Sequence, residues 1–104
     1  MSKTIWQKKE KKDAKDFGGK VTPRSGGYFS FPGDVVTKDF LIDSKTTDKN
    51  RFSITANMWT KVFNEALKSR KIPILSILLI NDEIELVVLS KDDFLELLSD
   101  RKKK

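Results

Sequence analysis

Along residues 3–17, Trp6, Glu10, Ala14 and Phe17 fall on one stripe at the helical period, while Lys8, Lys9, Lys11, Lys12 and Lys15 lie mostly around the rest of the circumference. The pattern predicts a first helix with a carboxylate, Glu10, in the middle of the face that should be buried. A carboxylate is costly there unless it lies at a wet edge or has a partner, and a bound cation is one such partner. Gly18 and Gly19 stop the helix. Residues 18–33, GGKVTPRSGGYFSFPG, are dense in glycine, proline and serine but also carry Tyr28, Phe29 and Phe31. A short strand over Lys20 to Thr22 is expected, followed by an ordered loop, and loops of this length are usually functional.

From Asp34 the pattern changes to VVTKDFLIDSKTT. Val35 and Val36 lead into a tight Lys38-Asp39 turn, and Phe40, Leu41 and Ile42 begin a second strand, so the segment reads as a β-hairpin. Over residues 53–70 the pairs Met58/Trp59, Val62/Phe63 and Ala66/Leu67 repeat every four residues, which predicts a helix capped by Ser53 or Thr55. IPILSILLI, residues 72–80, is rich in branched side chains and reads as a strand buried on both faces. Asn81-Asp82 turns the chain, Ile84 to Leu89 return as another strand, and Lys91 to Leu98 form a last helix capped by Ser90. No repeat is evident. The order α-β-β-β-α-β-β-α implies an α/β fold, a mixed central β-sheet flanked by helices, with helix 53–70 crossing from the hairpin to the buried strand.

Length and composition narrow the chemistry. The 104 residues suffice for one domain, expected over 1–100 with a basic tail at 101–104, and no window approaches the ~20 apolar residues of a membrane span. The lysine-rich start is not followed by the apolar stretch of a secretory signal, so a soluble, cytoplasmic protein is expected. With no cysteine and no histidine, disulfides, thiolate and imidazole zinc sites, and Ser-His-Asp or Cys-His nucleophiles are excluded. Carboxylates, lysine, hydroxyls and an oxygen-loving metal such as magnesium remain. The net charge of +6 is terminal: residues 1–24 hold eight basic and three acidic side chains, residues 25–100 nine and twelve, and residues 101–104 are all basic. A globular body with basic ends suits phosphate tracking, and it also serves plain solubility.

Asp43 and Lys45, two apart on a strand, point to one face, and Asp34 heads the partner strand of the same hairpin. Two carboxylates in proximity repel unless a cation lies between them, and a hard divalent metal is the natural occupant. Lys45 beside it could orient and help deprotonate a water for attack on a phosphodiester. Glu10 could complete the carboxylate set or hold a metal-bound water. Acid-x-lysine also occurs at Glu10-Lys11-Lys12 and Asp13-Ala14-Lys15, but on a helix that spacing points the side chains apart. A surface ion pair on an ordinary hairpin is the plain alternative.

These residues resemble the PD-(D/E)XK nucleases. That family has an acid on its first helix, an aspartate at the start of its second strand and acid-x-lysine on its third. Here these are Glu10, Asp34 in FPGD, and Asp43-Ser44-Lys45 in IDSK, with aspartate where glutamate is more common. The resemblance implies a restriction-endonuclease-like core and a magnesium ion, for which manganese substitutes, held by Asp34, Asp43 and the carbonyl of Ser44. Within the family the chain looks most like archaeal and phage Holliday-junction resolvases, through TPRSGG with Ser25 and the run from KTT to FSIT and Trp59. It implies a structure-selective DNA endonuclease acting on four-way or other branched DNA, homodimeric, in a bacterial or archaeal cell or encoded by a phage. A phage recombination-associated nicking or flap nuclease, or a non-catalytic nucleic-acid-binding module, are the alternatives. Ser25 either touches the scissile phosphate or shapes the loop. Lys8, Lys9, Lys12, Lys20 and Arg24 are candidate contacts to the DNA backbone, and the hydroxyl of Thr47 is a candidate phosphate contact.

Overall fold

Branched residues at nearly every position make Ile72–Leu79 a strand buried on both faces, as its sequence requires. The computed structural model describes residues 2–22 and 34–102. In chain order these form α1 (Ser2–Phe17), β1 (Lys20–Val21), β2 (Val35–Val36), β3 (Phe40–Thr47), α2 (Ala56–Ser69), β4 (Ile72–Leu79), β5 (Ile84–Val88) and α3 (Lys91–Lys102). The strands make one five-stranded sheet in the order β1-β2-β3-β4-β5. Only β3 and β4 run parallel, with α2 as the crossover between them, and the other three pairings are antiparallel, so the sheet is mixed. The loop expected after β1, with Arg24 and Ser25, lies outside the described residues.

Strand alternation divides the core into two layers. Leu41, Leu75, Ile77 and Leu79 meet Val62 and Ala66 of α2, with Phe52, Met58, Trp59 and Val88 at the margin. On the other face Val35, Ile42 and Ile74 meet Ala14 of α1, with Phe17, Phe40 and Leu89 around them. Adjacent residues Leu41 and Ile42 thus serve opposite layers, and the two helices sandwich the sheet.

The ends of the elements follow local chemistry. Gly18 closes α1 with φ +71°, and Gly19 donates its amide to Ala14 O at 2.8 Å. A Cβ at Gly19 would lie 2.4 Å from the carbonyl oxygen of Val36, so only glycine lets the chain pass this close to β2. The first strand ends at Val21, one residue short of expectation. Thr55, not Ser53, caps α2 by accepting from the Met58 amide, so the helix begins at Ala56. Arg70 ends it in the left-handed conformation, φ 57°, a position glycine usually takes. α3 runs past Leu98 to Lys102, taking in two residues expected in the tail. Its Phe94, Leu95, Leu97 and Leu98 are exposed, and none of its residues enters either core layer.

Candidate functional site

The hairpin that carries the candidate acids is set by its turn. Thr37 Oγ1 accepts from the amides of Phe40 (2.8 Å) and Asp39 (3.2 Å), and the Thr37 amide donates to Phe40 O at 2.9 Å. Lys71, just after α2, pins this turn by donating to Thr37 O (2.6 Å) and Lys38 O (2.9 Å). The resulting register pairs Val36 with Leu41 and Val35 with Ile42, which leaves Asp34 just ahead of β2 and beside the middle of β3. The Asp34 amide donates to Ile42 O at 2.8 Å, and the Asp34 carboxylate accepts the Ser44 amide at 2.8 Å. Asp34 is thereby fastened to the middle residue of Asp43-Ser44-Lys45.

Asp43 and Lys45 form an ion pair at 3.2 Å with side chains 12% and 34% exposed, so the pair is shielded on the acid's side and open on the amine's. Alternation sends both toward the layer of Leu41 and α2, whereas Ser44 turns to α1. There its hydroxyl donates to Asp13 Oδ2 at 2.5 Å. Asp13 also accepts from Ser76 Oγ at 3.0 Å and from Lys9 Nζ at 2.9 and 3.2 Å, and Lys9 donates to Ser76 Oγ at 2.9 Å. The Lys9 and Asp13 side chains are 1% and 3% exposed. A buried pair of opposite charges survives when further hydrogen bonds complete it, and the two serine hydroxyls do so here. Among the described residues no buried side-chain nitrogen or oxygen lacks a partner.

The remaining predicted residues are spread more widely. Glu10 is buried on α1, as its place on the apolar stripe predicts. Lys8, Lys12 and Lys20 are exposed, and Lys8 and Lys20 can meet a phosphate. Lys9 cannot: expected among the DNA contacts, it is buried under α1 by its ion pair to Asp13, which corrects that assignment. Lys12 is bonded to Asp16 (3.3 Å) and to Glu85 on β5 (2.5 Å), so its ammonium is already engaged. The Glu85 and Asp16 carboxylates accepting its protons hold its pKa above the ordinary 10.5. Thr47 Oγ1 accepts the Lys49 amide at 3.1 Å and shapes the turn after β3.

Among the described residues no group of three acidic side chains is placed to hold a metal ion, so Glu10 does not form a ready-made cluster with Asp34 and Asp43. Magnesium takes one or two protein carboxylates and completes its octahedron with water and substrate phosphate. Asp34, bonded to the Ser44 amide, and Asp43, the residue before Ser44, are two carboxylates of the type that ion takes, and Asp43 is paired with Lys45.

Sequence reasoning did not single out Asp13, Ser76 or Lys71. The i, i+4 spacing of Lys9 and Asp13 and the single hydroxyl inside IPILSILLI were the available signals. No helix among the described residues is long and apolar enough to cross a membrane. Compared with family models and with curated proteins, the chain matches none.

Proposed function

We propose that this chain is a magnesium-dependent DNA endonuclease of the PD-(D/E)XK kind, acting as a homodimer on four-way or other branched DNA. The observation that carries the reading is the bond from the Ser44 amide to the Asp34 carboxylate, which joins the acid of one strand to the acid-x-lysine of the next. Asp34 and Asp43 would hold the ion. When bound, magnesium supplies Lewis-acid polarisation of the scissile phosphate and lowers the pKa of a water.

The chain's own residues supply the rest. Lys45, one-third exposed and 3.2 Å from Asp43, stands where it can orient a water or meet a phosphate oxygen. The burial of Asp43 limits competing water. Exposed Lys8 and Lys20 add sequence-independent attraction for the DNA backbone. Two symmetric cuts in a four-way junction call for two sites, and one small domain offers one, so two copies are required.

The test is incubation of the purified protein with magnesium and labelled junction, flap, nicked and linear DNA. Junction cutting is expected, abolished by Asp34→Ala or Asp43→Ala and slowed about 100-fold or more by Lys45→Ala. Equal cutting by Asp43→Ala would end the proposal, and preference for flap or nicked DNA would replace the junction with the recombination-associated alternative.

A second reading, a nucleic-acid-binding module without catalysis, is favoured by Asp43 being already neutralised by Lys45. It predicts DNA binding without cutting, and no heat on adding magnesium that depends on Asp34 and Asp43.

A further inference from the structure

Ser44 is gripped from both sides of its strand. Its amide donates to the Asp34 carboxylate at 2.8 Å, and its hydroxyl donates to Asp13 Oδ2 at 2.5 Å. Asp13 is itself held, by Lys9 through both carboxylate oxygens and by Ser76 from the adjoining strand. Ser44 and Ser76 stand in register on the parallel pair β3 and β4, so both hydroxyls face α1 from neighbouring strands. The result is one continuous path of hydrogen bonds from α1 to the Asp34 carboxylate. It runs from Lys9 to Asp13, to the Ser44 hydroxyl, and from the amide of that same residue to Asp34. A valine or isoleucine at 44 and 76 would make an ordinary apolar seam under the helix, as Ile42 and Ile74 do one step earlier. The chain instead spends a buried ion pair at the one peptide that separates Asp43 from Lys45.

We infer that Asp13 and Lys9 are positioning residues for the candidate metal site, acting through Ser44. The inference rests on the reading of Asp34 and Asp43 as the acids that hold the ion. Asp13 touches neither ion nor substrate. It fixes the hydroxyl of Ser44, and with it the peptide whose amide orients Asp34 and whose neighbours are Asp43 and Lys45. Partners of this kind, which orient a metal-binding group without touching the metal, commonly alter metal affinity 10–100-fold when removed.

Removing the Asp13 charge would strand Lys9 in the interior and risks unfolding, so Ser44→Ala is the gentler variant and Ser44→Thr its conservative counterpart. Two readouts separate the possibilities. Amide hydrogen exchange at residue 44, referred to the Leu75 amide in the neighbouring strand, follows the path without any metal. Titration with Mn2+, followed by its electron paramagnetic resonance signal, measures the ion, with Asp34→Ala as the reference for a lost site. The expected result is faster exchange at residue 44 in Ser44→Ala, Mn2+ affinity lower by about 10–100-fold, and both restored in Ser44→Thr. Unchanged exchange at residue 44 overturns the path whether or not the ion binds. Faster exchange with unchanged Mn2+ affinity overturns the positioning role and leaves the network purely structural. Mn2+ binding that is absent from the wild type, or indifferent to Asp34→Ala, overturns the nuclease reading and the positioning role with it.

Discussion

Asp13 is nearly inaccessible and has three side chains around it, so its removal should reveal what the buried network is worth. Asp13→Ala leaves the Lys9 ammonium in the interior without its counter-ion, and a loss of about 3–5 kcal/mol is expected in urea unfolding. The double variant Lys9→Met/Asp13→Leu removes both charges together and should be less destabilised than Asp13→Ala alone. Lys12, next in sequence to Asp13, behaves differently because more than half of its side chain is exposed. Its pKa is raised on folding by Glu85 and Asp16, so its contribution to stability is complete below 10.5 and disappears as pH rises through the raised value. The difference in unfolding midpoint between wild type and Lys12→Met should accordingly be constant from neutral pH to near 10.5 and close above it. It should be small throughout, because water and salt screen such a pair.

Helix α2 illustrates how much an element owes to its two ends. Thr55→Ala removes the acceptor for the Met58 amide and should cost about 1 kcal/mol, read as a lower midpoint in thermal or urea unfolding. Arg70 is a side-chain-bearing residue at φ 57°, and Arg70→Gly should stabilise the protein by about 0.5–1 kcal/mol in the same measurement. Periodicity made this helix legible, because a repeat every four residues can arise from a single buried face. Its start was less so: Ser53 and Thr55 both satisfy the capping preference, and only the backbone path between β3 and α2 chooses Thr55. Helix α1 was legible as a helix, and Glu10, Ala14 and Phe17 of its stripe do face inward, but the buried face is wider than that stripe and takes in Lys9 and Asp13. Lysine and aspartate at i, i+4 look like a solvated pair, and nothing within the helix reveals that two serines wait beneath it.

At the scale of the whole molecule, the basic ends and the exposed apolar side chains of α3 set the two expectations that remain. If the lysines of α1 and β1 meet phosphate, the logarithm of DNA affinity should fall linearly with the logarithm of salt concentration, and Lys8→Gln or Lys20→Gln should each reduce the slope by about 1. Lys9→Gln should not change that slope, because its ammonium is sealed between α1 and the sheet. Sedimentation at micromolar concentration should give twice the 11.9 kDa mass of one chain, and a monomer at all concentrations would remove the two-site scheme for junctions.

The sequence by itself determined the kind and succession of the elements and the pairing of Asp43 with Lys45. Hydrophobic period, capping residues and the two-residue alternation of a strand all act within a few positions of one another. Tertiary structure decided which layer each strand face joins, that Lys9 lies inside, and that Asp13, Ser44 and Ser76 meet. Those outcomes depend on hydrogen bonds between residues 31, 63 and 67 positions apart. A buried charge is tolerable only where distant partners arrive to complete it, and no local pattern records their arrival.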